Sequence, residues 1–374
     1  MKNNMKLLKD YNDFSGKRVL MRVDFNVEVH GGKVTEDFRI QKTIPTIRYV
    51  RERGAEVILI AHFENEEDVD FKIVSDYVSE IIPLDYCESF EKNTIEKCME
   101  NSQSKIVLLQ NLRKHPGEKK NDADFAESLA SLADIYINEA FSASHREHAS
   151  IVGVPKYIPG YAGFVFETEV RELSKAIKPP ENSLFILGGA KIETKMPLIK
   201  SLAEEYDHIF IGGVLANTVL KHNGIAIGKS VYDKGKHPLP ENSKCDFIIP
   251  TDVVVETEDG KREEKNVDDI LRGDTIYDAG KKTVEDLVER IANAEFVLWN
   301  GPLGYYEKDY TEPTLTVARA IAESTSESIL GGGDTIAAIS SLGLMDAYNH
   351  VSTGGGAMLD FLADGKLPGI DALE

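Results

Sequence analysis

The sequence predicts an α/β protein with two doubly wound, Rossmann-like parallel-sheet domains joined by a hinge helix. Three observations lead to this prediction. The chain has 374 residues, more than one ordinary hydrophobic core organises. Short apolar runs of strand length alternate with helical patterns almost throughout. These runs are continuously apolar, which is typical of parallel strands covered by helices on both faces.

The strands come in two sets with helices between them. In the first half the strand runs are RVLMRVDF, EVILIAHF, KIVLLQNL and DIYINEAF, with helices near Thr46–Arg53 and Asp124–Leu132. In the second half they are SLFILGGA, HIFIGGVL, DFIIPTDVVV, EFVLWNGP, ESILGGGD and NHVSTGGG, with helices near Lys195–Glu205, Val284–Ala292, Leu315–Glu323 and Ala357–Leu362. No repeat of fixed period is present.

Proline and glycine mark the boundary between the two sets. The stretch YIPGYAGFVFETEVRELSKAIKPPENS has turn residues, then a helical pattern, then Pro179–Pro180. We therefore predict a first domain at 1–161, an interdomain hinge helix at 162–178 and a second domain at 179–356. We expect the C-terminal segment, 357–374, to pack back toward the first domain.

Charge and composition exclude several function classes. A net charge of -20 disfavours nucleic acid and anionic membranes as partners. The N-terminus lacks a signal-peptide core, and no run approaches the roughly 18 apolar residues of a membrane span. Cys87, Cys98 and Cys245 lie far apart, odd in number and without CxxC spacing. We therefore expect no structural disulfide and no zinc site, and a reducing cytoplasm fits.

Glycines follow the strands of the second half. They stand at Gly188–Gly189, Gly212–Gly213, Asn300–Gly301, Gly331–Gly333 and Gly354–Gly356. Ligands of such sheets bind at the carboxyl ends of the strands, where glycine admits a ligand to the backbone and the next helix offers N–H groups to phosphate. One glycine pair alone is more simply a tight turn, but five in one domain indicate a phosphate or nucleotide site. No GxxxxGK[ST] motif is present, so this is not a Walker-type site.

Polar and basic residues follow the strands of the first half. They are Asp24, Asn26, His62, Arg113 and the residues of FSASHREH, with Arg39 after a turn-rich segment. Arginines that converge in an acidic protein indicate a small, multiply anionic substrate held by forked hydrogen bonds. His145 and His148 have the spacing of metal ligands but no carboxylate or cysteine partner at useful spacing, so we do not assign a metal to them.

Ten segments in order resemble the phosphoglycerate kinase family, from about Lys17 to the C-terminus. They are RVDFNV, TEDFRI, TIPTIRY, VLLQNLRKHPGE, SLADIYINEAFSASHREHAS, AGFVFETEV, LGGAKIETK, WNGPLG, GGGDT and HVSTGGGAMLDFL. The resemblance implies a phosphotransferase with a carboxyl acceptor. It would move a phosphoryl group between ATP and 3-phosphoglycerate, or back from 1,3-bisphosphoglycerate to ADP, with Mg²⁺, in glycolysis or gluconeogenesis. The first domain would bind phosphoglycerate and the second the nucleotide. We expect a cytoplasmic monomer.

The resemblance also implies roles for single residues. Asp24 and Asn26 would bind the glycerate hydroxyl and carboxyl groups, and Arg39 would lie beside the transferring phosphoryl group. The 3-phosphate would be held by His62, Arg113 and Arg146. Arg39, Lys191 and Lys195 would be catalytic, and Asp334 would position Mg²⁺. The implied nucleotide-binding set is Gly189, Lys191, Lys195, Gly212, Gly213, Asn300, Pro302, Glu307, Gly332, Gly333, Asp334, Thr335, Gly354, Gly355 and Gly356.

The sequence departs from the family pattern after His62, where HFENEEDVDF replaces a basic loop and Asn65 stands at the place of an anion-binding arginine. Val214 and Lys281 replace a glycine and a proline of the family pattern. We expect a weak grip on 3-phosphoglycerate, unless Lys114 or Lys72 supplies the charge that is missing at Asn65. Two alternatives remain: a kinase of another small acid, and a non-catalytic nucleotide-binding relative.

Overall fold

The computed structural model describes residues 4–64, 70–189, 192–235, 239–240 and 243–374. The chain divides into two compact units. Unit 1 comprises Met1–Arg171 and Lys366–Glu374, and unit 2 comprises Glu172–Gly365. Each unit has its own six-stranded parallel sheet, which confirms the predicted fold class. The hinge role of 162–178 stays a prediction.

Unit 1 is built on six parallel strands in the order β5-β6-β4-β1-β7-β8, with β2 and β3 as a separate hairpin. Its strands are β1 Arg18–Arg22, β2 Val29–His30, β3 Lys33–Val34, β4 Glu56–Ile60, β5 Asp85–Cys87, β6 Ile106–Leu109, β7 Ile135–Asn138 and β8 Gly160–Ala162. Its helices are α1 Phe38–Glu52, α2 Lys72–Ile81, α3 Lys92–Asn101, α4 Pro116–Lys119, α5 Ala123–Ala130 and α6 Phe164–Ile177, the last of which crosses into unit 2.

Besides the hinge helix, the sequence predicts two helices in unit 1, and the structure has more. Helix α1 begins at Phe38, well before the predicted start at Thr46, and continues through Pro45. Helices α2 and α3 are additional. Each buries one narrow stripe against the sheet, such as Val74 and Val78 of α2. The sequence analysis missed both helices although their buried apolar residues recur at helical spacing.

Unit 2 repeats the doubly wound plan, with the strand order β11-β10-β9-β15-β16-β17. Its strands are β9 Ser183–Leu187, β10 His208–Ile211, β11 Asp246–Ile248, β12 Asp252–Glu256, β13 Arg262–Asn266, β14 Thr275–Ala279, β15 Phe296–Asn300, β16 Glu327–Gly331 and β17 His350–Ser352. Its helices are α7 Ile192–Leu202, α8 Gly213–His222, α9 Lys281–Asn293, α10 Glu312–Glu323, α11 Gly333–Ser341 and α12 Gly356–Asp364.

Unit 2 also contains a three-stranded antiparallel sheet, in the order β13-β12-β14, that the sequence does not predict. The run DFIIPTDVVV forms two strands in different sheets, β11 and β12, separated at Pro250. Proline lacks the N–H that a continuous ladder requires, so it ends the first strand.

The expectation that no disulfide forms is wrong. Cys87 at the end of β5 and Cys98 in α3 are bonded, with their Cα atoms 6.2 Å apart. The two cysteines are 11 residues apart in sequence, and α3 packs back on β5, so the fold brings them together. Cys245 is the free cysteine and is buried.

The segment after α12 returns to unit 1, where it forms α13 (Pro368–Asp371). The backbone N–H of Gly369 donates to the carbonyl of Ser144, and that of Lys6 donates to the carbonyl of Leu373. Residues 357–365, which the sequence analysis groups with this segment, lie in unit 2. Within the described residues, no helix has the length and apolar character needed to cross a membrane.

Candidate functional site

Four neighbouring strands of unit 1 carry predicted site residues beyond their carboxyl ends. In the sheet order β6, β4, β1 and β7, these residues are Arg113, His62, Asp24 and Arg146. The carboxyl ends of parallel strands meet at one edge, where ligands of such sheets bind. Arg39 in the first turn of α1 reaches the same edge, because its Nη1 lies 3.1 Å from Oδ2 of Asp24. We call these residues, with Asn26, the edge cluster.

Asp24 is the acidic centre of the edge cluster and is buried. Its Oδ2 accepts hydrogen bonds from Arg39 and from the hydroxyl of Ser142, the latter at 2.6 Å. The side-chain oxygen of Asn26 accepts a hydrogen bond from the backbone N–H of Glu64 at 2.8 Å. The structure therefore brings together Asp24, Asn26 and Arg39 as the sequence analysis expects.

His62 is buried among positive charges. Burial first, and then the guanidinium groups of Arg22, Arg113, Arg146 and Arg39, hold the pKa of His62 well below its usual range. An imidazole in this environment is neutral at physiological pH. His62 is therefore a neutral hydrogen-bonding group in the midst of four cations.

Arg22 is a member of this site that the sequence analysis missed. It is buried in β1, and it donates to the carbonyl of Val23, to the hydroxyl of Ser150 and, over 2.8 Å, to Nδ1 of His62. The same hydroxyl of Ser150 donates to the fully buried carboxylate of Glu118 at 2.6 Å. A guanidinium has no acceptor, so Nδ1 of His62 must be the acceptor and its proton must reside on Nε2.

The guanidinium of Arg113 forms an ion pair with the carboxylate of Glu64. Nη1 of Arg113 lies 2.6 Å from Oε1 of Glu64, and Nζ of Lys119 lies 3.3 Å from the same oxygen. Nε of Arg113 is buried and has no hydrogen-bond partner among the described residues. Two cations thus converge on one anionic oxygen, beside a donor that still lacks an acceptor.

The lysines proposed to supply the missing charge pair with other carboxylates. Nζ of Lys114 is 4.0 Å from Glu88, and Nζ of Lys72 is 2.5 Å from Asp76 on the next turn of its helix. Lys119, which the sequence analysis did not consider, is the lysine that shares a carboxylate with Arg113. Asn65 lies outside the described residues.

Unit 2 contains a cleft of about 530 Å³ at the ends of its strands. Five of the predicted nucleotide residues line it: Gly189, Gly213, Pro302, Glu307 and Asp334. Others stand in the neighbouring turns and helix starts rather than in its lining: Gly212, Asn300, Gly332, Gly333, Thr335, Gly354, Gly355 and Gly356.

Two of the predicted residues, Asn300 and Thr335, form hydrogen bonds between neighbouring turns. The side-chain amide of Asn300 donates to the carbonyl of Gly331 at 3.0 Å, and the hydroxyl of Thr335 accepts from the backbone N–H of Gly301 at 2.9 Å. Both side chains are buried. These bonds join the turns after β15 and β16, which fixes the backbone around the cleft.

The glycines of these turns serve different purposes. Gly213 has φ +60°, and a Cβ there would lie 2.9 Å from the backbone of Gly189. A Cβ on Gly188 would lie 2.0 Å from the carbonyl oxygen of Pro302. Both are required by packing between loops. Gly333 differs, because a Cβ there would meet nothing within 4 Å and its φ is not positive. Packing therefore does not explain Gly333.

Lys195 projects from α7 toward the turn after β9. Its Nζ donates to the carbonyl of Gly188, and the side chain is buried. Burial lowers the pKa of Lys195 to about 8, opposed by the negative charge of Asp334. Lys195 and Asp334 are therefore close enough to interact at the cleft. Lys191 lies outside the described residues.

Asp334 is the one acidic residue in the first turn of α11 and lines the cleft. Among the described residues, no group of three or more His, Cys, Asp or Glu side chains could by itself hold a metal. Mg²⁺ in phosphoryl-transfer sites is usually held by one or two carboxylates, with phosphate oxygens and water as the other ligands. A single carboxylate in a cleft open to phosphate fits that pattern.

Among the cleft residues that the sequence analysis missed, three carry aromatic or acidic side chains. Tyr277 and Asp278 come from β14, and Tyr305 follows β15. Asp278 is buried, its Oδ2 has no hydrogen-bond partner among the described residues, and burial raises the pKa of its carboxyl to about 8. No motif signals Tyr277 and Asp278, because β14 does not belong to the parallel sheet from which the prediction started.

Comparisons with known proteins agree with the geometry. The family model described as phosphoglycerate kinase matches residues 8–366. The chain is 40% identical over 382 residues to the phosphoglycerate kinase of Dictyoglomus turgidum, covering 97% of this chain and 96% of that protein. It is also 40% identical over 377 residues to that of Rubrobacter xylanophilus, covering 96% of each. A crystal structure of phosphoglycerate kinase from Pyrococcus horikoshii superposes with a TM-score of 0.89 at 31% identity, covering 99% of this chain and 98% of that one.

The predictions of family and of enzyme class are therefore confirmed. The match spans nearly the whole chain, so it includes both units and both sets of site residues. The enzyme class is that of a kinase with a carboxyl acceptor, which uses ATP or ADP. Its general role is in glycolysis. The chain belongs to the phosphoglycerate kinase family.

Proposed function

We propose that the edge cluster binds 3-phosphoglycerate or 1,3-bisphosphoglycerate, and that the cleft of unit 2 binds ATP or ADP with Mg²⁺. One observation carries the first half of this proposal. Arg22, Arg39, Arg113 and Arg146 all lie close enough to His62 to act on its pKa, in a chain whose net charge is -20. Such a concentration of guanidinium groups suits a small substrate with several negative charges.

Within the edge cluster, each residue has a role in the proposal. Asp24 and Asn26 bind the glycerate hydroxyl and carboxyl groups, and Arg39 lies beside the transferring phosphoryl group. Arg113 and Arg146 hold the 3-phosphate as cations. His62 donates to it from Nε2 as a neutral imidazole, because its Nδ1 is engaged by Arg22.

Within unit 2, Lys195 offsets charge on the nucleotide phosphates and on the group in transit, together with Lys191. Asp334 would hold Mg²⁺, which when bound neutralises phosphate charge. The turns that carry Gly189, Gly213 and Gly333 present the backbone to the nucleotide, since a glycine allows close approach. Pro302 and Glu307 belong to the base and ribose side of the cleft.

The cations of the edge cluster and the cleft suit phosphoryl transfer. Its transition state is loose, so catalysis relies on positioning and on charge neutralisation more than on a covalent nucleophile. The bond to the leaving nucleotide oxygen breaks as the bond to the acceptor carboxylate oxygen forms, and in the reverse direction the two exchange roles. Arg39 and Lys195 are cations placed to neutralise the charge that moves.

The proposal includes a cost of substrate entry. Glu64 already pairs with both Arg113 and Lys119, so the substrate phosphate has to compete with its carboxylate for these cations. The side chains of Lys119 and Glu64 are 58% and 50% exposed. Solvent therefore screens much of this competition. We therefore expect a weakened grip on 3-phosphoglycerate, to which Glu64 contributes as a competing anion in addition to the arginine that is missing at Asn65.

A coupled assay tests the function directly. Nucleotide turnover with Mg²⁺ should depend on 3-phosphoglycerate, and Arg39→Ala and Lys195→Ala should each lower kcat by about 10²-fold or more, the scale of losing a preorganised charge. Turnover with another small acid alone would identify a different small-acid kinase. Nucleotide binding without any turnover would identify a non-catalytic relative.

A cytoplasmic, monomeric enzyme completes the proposal, supported by the glycolytic role of the family. The Cys87–Cys98 bond needs its own test in this proposal, because disulfides are rare in a reducing cytoplasm. Thiol titration of the native protein as isolated decides the point, since a reduced chain offers Cys87 and Cys98 in addition to Cys245 after unfolding. Light scattering gives the oligomeric state.

A further inference from the structure

A buried carboxyl group with no part in the proposed phosphoryl transfer lies at the end of β7. Glu139 follows β7 directly and is 1% exposed. Its backbone N–H donates to the carbonyl of Arg22 at 2.8 Å, which fixes the start of the loop that carries Ser142 and Arg146. A carboxylate is costly to bury unless hydrogen bonds compensate it, so the groups that bind Glu139 indicate its role.

Two helices donate hydrogen bonds to this one carboxyl group. The hydroxyl of Thr46, in the middle of α1, donates to Oε1. The backbone N–H groups of Val165 and Phe166, in the first turn of α6, donate to Oε1 and Oε2 at 3.1 and 3.5 Å. Hydrogen bonds from these donors favour the ionised form of the group. Glu139 therefore connects α1, α6 and the end of β7 at one point.

The sequences of both helices fit a carboxylate at this position. Gly163 precedes α6 and has no side chain that could accept from the free N–H groups of the first turn, so Glu139 supplies the acceptor. A Cβ on Gly163 would overlap with Oε2 of Glu139. In α1, Pro45 removes one backbone hydrogen bond, and the next residue, Thr46, is the one that bonds to Glu139. Glu139 thus supports each helix where its own backbone hydrogen bonding is incomplete.

We propose that Glu139 is a positioning residue for Arg39, and that it acts as a carboxylate that links α1 to the first turn of α6. Arg39 lies about two turns before Thr46 and thus on the same face of α1. The inference rests on the proposed function, because that function places Arg39 beside the transferring phosphoryl group. A shift of α1 would move the guanidinium of Arg39 away from the charge that moves, which lowers turnover more than substrate affinity.

Protonation of Glu139 weakens this connection. Burial raises the pKa of Glu139 to about 7, and the hydrogen bonds from Thr46, Val165 and Phe166 oppose the rise. A protonated carboxyl group carries a hydrogen that needs an acceptor, whereas the two backbone N–H groups can only donate. The link between α1 and α6 is therefore weaker at pH 6 than at pH 8.

Charged side chains on the neighbouring elements do not account for this pKa. Those that face inward or lie in the first turn of α6 are Arg22 of β1, Arg39 of α1, and Glu167 and Glu169 of α6. Arg22 donates to His62, Arg39 pairs with Asp24, and Glu167 pairs with Lys9. Burial and the three hydrogen bonds, rather than any of these charges, set the pKa of Glu139.

Carbon-13 spectra of the full chain, labelled at the glutamate carboxyl groups, measure the charge of Glu139 directly. One resonance, absent from Glu139→Gln, should titrate with a midpoint at about 7 rather than near 4.5. Thr46→Val removes a bond that favours the carboxylate, so the midpoint should rise in that variant. Thr46→Ser keeps the hydroxyl and should leave the midpoint in place. A midpoint near 4.5 in the unmodified chain, or one that Thr46→Val does not move, would overturn the proposal.

Turnover shows whether this charge positions Arg39. Glu139→Gln should lower kcat about tenfold at pH 8, less than the roughly 10²-fold that a misplacement of about 1 Å can cost, and change KM for 3-phosphoglycerate by less than about twofold. The ratio of the unmodified to the variant kcat should fall to about two at pH 6, because Glu139 itself is then mostly protonated. Thr46→Val should also lower kcat, so the test does not depend on the folding of Glu139→Gln.

Glu167→Gln provides the matched control. It makes the same chemical change in the first turn of α6, at a residue that pairs with Lys9 instead, so kcat should stay the same. A kcat ratio for Glu139→Gln that is constant between pH 6 and pH 8, or an equal loss in Glu167→Gln, would overturn the positioning role. Absence of turnover with 3-phosphoglycerate in the unmodified chain would overturn the proposed function and the role for Arg39 with it, while the carbon-13 titration would still report the state of Glu139.

Discussion

Arg22 donates from Nη2 to Nδ1 of His62 across 2.8 Å, and both side chains are buried. The pair lies within a wider network, because Ser150 connects Arg22 to the buried carboxylate of Glu118. An arginine has only donors to offer, so this contact selects one tautomer of the imidazole. Arg22 thus acts as a positioning residue: it binds Nδ1 of His62 and leaves the Nε2–H group to donate to a ligand.

Nitrogen-15 spectra of labelled protein should show His62 as the Nε2–H tautomer from pH 8 down to below pH 6. The reason is that burial and the four guanidinium groups oppose its protonation. Ser150→Ala, which removes the hydrogen bonds of this hydroxyl to Arg22 and to Glu118, should reduce the tautomer preference. A proton on Nδ1, or an imidazolium at pH 6, would contradict the assignment.

Removing the charge of Glu64 should improve substrate binding. We expect Glu64→Gln to lower KM for 3-phosphoglycerate by roughly two- to fivefold, the scale of an exposed ion pair, because Arg113 then loses its competing anion. Nucleotide KM should not change. Steady-state kinetics at constant ionic strength measures both.

Lys119→Ala should act in the opposite direction. Loss of a cation beside Arg113 should raise KM for 3-phosphoglycerate by about threefold to tenfold, less than a buried charge-assisted bond would cost because the side chain is exposed. Lys114→Ala is the matched control, since Lys114 lies 4.0 Å from Glu88 instead. Equal effects of the two variants would show that only net charge matters.

The state of Lys195 should appear in the pH profile. Its pKa is lowered to about 8, so the amine is protonated below that pH and loses its charge above it. kcat/KM for the nucleotide, which reports the free enzyme, should fall about tenfold per pH unit above pH 8. Lys195→Arg should lower the rate and move this fall beyond the measured range. A profile of the unmodified enzyme that is flat to pH 9.5 would refute the role.

Gly333→Ala separates ligand contact from packing. The new Cβ would meet no atom within 4 Å and the backbone is not left-handed, so the melting temperature should stay the same or rise slightly. If the nucleotide approaches this backbone, its KM should rise by about tenfold, because a methyl group displaces it. An unchanged KM would mean that Gly333 has no part in binding.

Much of the parallel architecture was predictable, and the reason is visible in β1, β4, β9 and β15. Their residues are almost all buried, so each strand stands out as a continuous apolar run. The antiparallel sheet was not predictable in the same way. Strand β13, Arg262–Asn266, consists of charged and polar residues, and it is a strand because β12 pairs with it.

The residues of the candidate site also differ in how far the sequence predicts them. Asp24, His62 and Arg113 were predicted because each comes shortly after an apolar strand run in the sequence. Arg22 was missed because it is the last residue of a buried strand, where only the tertiary contacts with His62 and Ser150 explain a buried charge. Tyr305 was missed because an aromatic residue in a loop has the same sequence signature whether it packs inward or stays exposed.

The return of Lys366–Glu374 to unit 1 has a consequence for biosynthesis. A ribosome produces Glu172–Gly365, the whole of unit 2, between the two parts of unit 1. At about 5–20 residues per second, that interval is on the order of ten seconds or more. During it the nascent chain lacks Leu373, which accepts a hydrogen bond from Lys6, and Gly369, which donates to Ser144. Unit 1 is therefore the first unit to emerge from the ribosome and the last to be completed. Until then, unit 1 without its C-terminal segment is the form of the chain that is exposed to chaperones.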